Sequence, residues 1–206
     1  MAVYKDLVFG NLGLGGNFTG IGTAGGASSQ VLLKKVEASS DATISFTNDL
    51  LNSNFKEYIF TFISMHPATD NVFLSFNCST DNGSNYNVTH TTTFIRANNN
   101  EADSSQNFAY MDGSDAAQQT SFQVLEDGNS NDNDHGSSGY LHLFNPSSST
   151  FQKLFYSRIN TTSAGDFTLD NHVGGTFNTA SAIDAIQFKF SSGNIDAGTI
   201  KMHGVN

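Results

Sequence analysis

The sequence predicts an all-β fold, a jelly-roll-like antiparallel β-sandwich of two sheets carried behind an extended, glycine-rich N-terminal arm. Three observations predict it. Apolar and polar residues alternate over short runs from about residue 31 to the C-terminus, the period-two signature of strands with one buried face. Turn-forming segments such as Asp81-Asn-Gly-Ser, Asn98-Asn-Asn100, Asp112-Gly-Ser, Asp127-Gly-Asn and Ser192-Gly-Asn separate these runs. The strong helix formers Glu, Lys and Arg are scarce beside Asn, Ser, Thr, Gly and Asp, a balance that favours strands joined by turns.

Residues 1–30 form the arm. Between Gly10 and Gly26 the chain is glycine-rich and carries single apolar residues, Leu12, Leu14, Phe18 and Ile21. Such a stretch builds no core of its own; it serves either as a flexible leader or as a docking arm whose apolar side chains fill a partner's grooves. Its Gly20-x-Gly22-x-x-Gly25 matches the dinucleotide fingerprint by letter, but no helical pattern or acidic residue follows where that site needs them.

The sandwich domain is assigned to 31–206. Tyr58, Phe60 and Phe62 oppose Ile59, Thr61 and Ile63; Val72, Leu74 and Phe76 alternate with Phe73, Ser75 and Asn77; Ile186, Phe188 and Phe190 alternate with Gln187, Lys189 and Ser191. Further strands are expected over 31–37, 42–47, 85–95, 106–111, 120–125, 138–145, 151–160, 166–169, 173–178 and 195–203, with a helical turn over 114–119. Cys78 continues the run from Val72 and reads as a small core residue. As the one cysteine of the chain, it has no intrachain disulfide partner.

The formal net charge of −10 opposes binding to nucleic acid or anionic lipid. No stretch approaches the roughly 20 apolar residues of a membrane span. Residues 1–10 lack the apolar core of a secretion signal, so synthesis in a cytoplasm is expected.

Candidate sites are few. Ser79-x-Asp81-x-Gly83-x-x-Tyr86 has the spacing of an Asp-box hairpin turn, in which the carboxylate accepts turn amides and the aromatic packs beneath; its role is structural. The run 127–136 places oxygen ligands at Asp127, Asn129, Asn131, Asp132 and Asp134, resembling a calcium loop, but it lacks the sixth-position glycine and the closing Glu. A solvated acidic loop is the competing reading, and calcium is the one cofactor entertained. Six scattered histidines show no ligand spacing for zinc, and His142 is placed on a strand's outer face between Leu141 and Leu143. No Gly-x-Ser-x-Gly or reactive-cysteine context points to nucleophilic catalysis, so no enzymatic activity is expected. Tyr86, Tyr110, Tyr140 and Tyr156, near Asn- and Asp-rich loops, could stack on sugars or simply serve the sandwich.

The C-terminal third reads Gly139-Tyr-Leu-His-Leu-Phe-Asn-Pro146, then Phe151 to Ile159, Gly174-Gly-Thr-Phe177, Ala182-Ile-Asp-Ala-Ile-Gln-Phe-Lys-Phe190 and Ser191-Ser-Gly-Asn-Ile-Asp-Ala-Gly-Thr-Ile-Lys-Met-His-Gly204. With 42–46 through Tyr86 upstream, this pattern resembles tailed-bacteriophage virion structural and tail-fibre-like proteins over roughly residues 35–205. The arm and the acidic 98–135 region fall outside it. The resemblance implies a non-enzymatic component of the virion exterior, either a tail-fibre or adhesin subunit or a capsid decoration protein. Other virion proteins and its own copies, in a homo-oligomer such as a trimer, are the implied partners. A carbohydrate-binding module recognising host-surface glycans is the alternative.

Overall fold

The computed structural model describes residues 30–206, so the predicted arm and its Leu12, Leu14, Phe18 and Ile21 lie outside the described residues. Thirteen strands follow in order: β1 (Val31–Glu37), β2 (Ile44–Phe46), β3 (Glu57–Pro67), β4 (Leu74–Ser79), β5 (His90–Asn100), β6 (Gln106–Tyr110), β7 (Ala116–Gln119), β8 (Gln123–Val124), β9 (Ser137–Phe144), β10 (Lys153–Thr162), β11 (Phe167–Phe177), β12 (Ala185–Phe190) and β13 (Ile195–Val205). They make an all-β sandwich. A nine-stranded antiparallel sheet runs β1-β13-β3-β9-β10-β11-β5-β6, with β7 also paired to β5, and a four-stranded sheet runs β2-β12-β4-β8.

The core lies between the two sheets and is built largely of phenylalanine. Phe188 on β12 packs within 6.3 Å, centroid to centroid, of Phe46, Phe60, Phe62 and Phe76, and Phe76 on β4 meets Phe155 and Phe177 edge-on from the large sheet. Edge-to-face pairs are the favoured geometry for such rings. The chain reaches this packing by crossing between sheets at β1/β2, β2/β3, β3/β4, β4/β5, β7/β8, β8/β9, β11/β12 and β12/β13.

Several sequence expectations change in detail. The segment 114–119 is no helical turn: a turn at Met111–Asp115 leads into β7, whose pairing with β5 satisfies its backbone better than an isolated helical turn could. Strand 85–95 begins only at His90, because 85–89 carries the chain from one sheet to the other. The predicted 120–125 shrinks to β8, and 166–169 and 173–178 fuse into β11. The Asp-box is present as a turn but not as a hairpin. Asp81 Oδ1 and Oδ2 accept bonds from the Asn85 backbone and side-chain amides at 2.9 and 2.7 Å, and Ser79 donates at 2.7 Å. These bonds hold the Asp81 carboxyl down at about 2, with Asn85 and Ser79 the largest causes. Gly83 takes φ +79°, and a Cβ there would stand 2.8 Å from the Tyr86 hydroxyl. The strands on either side, β4 and β5, belong to different sheets.

Strand β4 is buried along its whole length rather than on alternate residues. Its polar face is covered by neighbouring chain and satisfied: Ser75 donates to the Lys189 carbonyl at 3.0 Å, and Asn77 Nδ2 to the Thr120 and Ser121 carbonyls, both at 3.0 Å. Cys78 is buried, and burial pushes its thiol well above the usual range.

Candidate functional site

The loop proposed for calcium does not gather its oxygens. Asp127 is paired with Arg96. Asn129 is completely buried, forms bridges to Val72 and Ser163, and donates from Nδ2 to the Met65 carbonyl, Glu126 and Ser137 at 3.1–3.2 Å. Asp132 faces Ser130 and His135, and Asp134 stands in solvent. Among the described residues no group of three or more His, Cys, Asp or Glu side chains is placed to hold a metal ion. The expected solvated acidic loop is present only in part: 131–134 is exposed, whereas 128–130 is threaded into the sandwich.

At the root of this loop sits a group the sequence reading missed. Glu126 is fully buried, with Oε1 3.1 Å from the Leu74 amide and Oε2 2.9 Å from the Thr161 hydroxyl. Burial outweighs these hydrogen bonds and raises its carboxyl to about 8, so it holds its proton at neutral pH. Nothing in the local sequence marked it, since adjacent Asp127 and the polar loop made the whole region look wet.

The tyrosines divide. Tyr86 is half-buried beneath its turn. Tyr110 lies exposed on the edge strand β6, its hydroxyl 2.6 Å from Asp115. Tyr140 and Tyr156 come together on the outer face of the nine-stranded sheet. Cross-strand register places Tyr140 beside Arg158 and Tyr156 between His142 on β9 and Gly174 on β11. Directly paired residues share a face. His142 and Tyr156 stack at 4.6 Å with their planes 14° apart, and Phe144 and Tyr140 close the cluster at 5.7 and 6.4 Å from Tyr156. His142 is thus on the outer face, as expected, and its Nδ1 is bonded to Glu57.

Beside the cluster, Arg158 makes a two-point contact with Asp170 at 2.8 and 2.9 Å, and His172 reaches the same carboxylate at 3.2 Å. The Arg158 guanidinium and His172 hold the Asp170 carboxyl below its ordinary value. The face also bears Leu154, 56% exposed, and Ile95 paired with Tyr110. A shallow depression of about 510 Å³ opens between Tyr156, Leu154 and Phe144 on one side and Thr91 and Thr93 on the other, over Gly174 and Thr176. A smaller one of about 280 Å³ lies by Tyr140, Arg158, Asn160 and Asp170. The arrangement offers flat apolar rings beside hydroxyls and a neutralised ion pair, a surface suited to recognition. No family model, curated protein or solved structure matches the chain.

Proposed function

We propose that this protein is a non-enzymatic structural component of the exterior of a tailed-phage virion, a tail-fibre or adhesin subunit or a capsid decoration protein. In this reading it is anchored through its N-terminal arm and displays the outer face of the nine-stranded sheet. The observation that carries the display is the cluster of exposed Tyr140, Leu154 and Tyr156 with half-buried His142 and Phe144 on the outer face of the nine-stranded sheet. The particle assignment is supported by the resemblance of 35–205 to virion proteins. Acidic charge suits a body that must not adhere to nucleic acid during assembly.

The test is attachment. Purified particles should carry the full chain, and a variant lacking residues 1–30 should remain folded yet fail to load onto particles made without the protein. Equal loading of the truncated chain would contradict the anchoring role. A carbohydrate-binding module acting apart from any particle is the second reading, favoured by the pairing of Tyr140 with Tyr156 on one exposed face.

A further inference from the structure

Gly174 and Gly175 are neighbours within β11, where glycine weakens a strand and often marks a close approach. Gly175 is explained by the fold: a Cβ there would lie 2.6 Å from both the Phe155 ring and the Thr92 methyl. Gly174 is not. A Cβ at Gly174 would have one neighbour within 4 Å, the Thr93 hydroxyl at 3.7 Å, on the open side of the sheet. Packing of the chain on itself therefore gives no reason for the missing side chain.

The consequence of that absence is a pit one side chain deep. Register sets Tyr156 on one side of Gly174 and Thr93 on the other, and Thr176 and His172 are the next outward-facing residues along β11. The two flanking strands stand two interstrand spacings apart, roughly 9.6 Å. Since His142 covers one face of the Tyr156 ring, the face toward Gly174 is the uncovered one. A ring held about 3.5–4.0 Å from the tyrosine plane, the distance of best dispersion contact, would be centred almost above Gly174. Its far edge would meet the hydroxyls of Thr93 and Thr176.

We propose that this slot binds one ring of an uncharged hexopyranose chain, its C–H face stacked on Tyr156 and its hydroxyl edge toward Thr93 and Thr176. A pyranose has this division between an apolar face and a polar edge; the Thr93 hydroxyl donates to the Gly174 carbonyl at 3.4 Å and keeps its lone pairs for a sugar hydroxyl, which a flat aromatic or aliphatic partner does not supply. The ligand is uncharged because Arg158, on the strand that carries Tyr156, is already neutralised by Asp170. Neighbouring rings would run toward Tyr140 and Asn160, along the second depression.

The proposal rests on reading this sheet face as the displayed surface. Its test is calorimetric titration of the full chain with gluco-, manno- and galacto-oligosaccharides at up to millimolar concentration. Saturable binding to at least one series is expected. Tyr156→Ala and Gly174→Val should each weaken that binding at least tenfold, while Leu32→Ala, on the far edge strand β1, leaves it unchanged. Valine favours a strand and finds open space at 174, so Gly174→Val should melt no lower than the parent, which separates blockage from misfolding. Absence of saturable binding to all three series, or full binding by Gly174→Val, would overturn the slot. The particle reading fails on a different result, since a chain that binds oligosaccharide but never loads onto particles keeps the slot and loses the virion role.

Discussion

Glu126 shows how one residue can set the pH response of the fold. Its carboxyl is raised from 4.5 to about 8 by burial, so between those values the native state holds a proton that the unfolded chain releases. Stability attributable to this group is therefore full below 4.5, falls as pH rises through the window, and is lost above about 8. The slope is about 1.4 kcal/mol per pH unit at most. Denaturant unfolding at pH 5, 6, 7 and 8 should show that decline in the stability of the parent relative to Glu126→Gln, which keeps the shape of the neutral acid; the comparison cancels the opposite slope of His90 and His203, whose imidazoles burial holds below their usual range. A parent that does not lose stability relative to Glu126→Gln from pH 5 to 8 would contradict the buried neutral carboxyl. Lys153 resolves the same problem differently: it is buried, but its ammonium donates to the carbonyls of Ala180 and Ser181 at 2.8 and 2.5 Å and so ties down the loop before β12.

At the scale of elements, the small sheet is the keystone, because Phe188 and Phe76 are the rings that the large sheet closes upon. Phe188→Ala should cost about 3–5 kcal/mol in chemical denaturation, in line with loss of a fully buried aromatic, whereas Phe108→Ala on the exposed edge strand β6 should cost little. A small loss for Phe188→Ala would mean that the sheets are not packed face to face. Period-two alternation made β3, β10 and β12 legible from sequence, because each keeps one face to the core and one polar or exposed. It located β4 as well, but not that its alternating polar residues are buried by chain far away in sequence. It missed β7 and overran β8, which are too short to show a period. The Tyr140–Tyr156 cluster was half legible: both tyrosines could be named, but only strand register reveals that they are neighbours and that Tyr86 and Tyr110 are elsewhere. Gly174 carried a signal in sequence, a glycine pair inside a strand, yet only its surroundings separate a packing glycine from an open one.

For the whole molecule, the two faces of the sandwich are unequal. Loops and side-chain hydrogen bonds cover the β4 region of the small sheet, whereas the nine-stranded sheet leaves its outer side bare over many strands. A single weak contact on such a face gains by repetition, which is what a symmetric assembly on a particle would supply. The most direct measurement is side-chain-resolution imaging of intact particles carrying this protein. The account predicts the arm seated on a neighbouring virion protein and the Tyr140–Tyr156 face turned to solvent. A structure with that face buried against another subunit and the arm hanging free would contradict it.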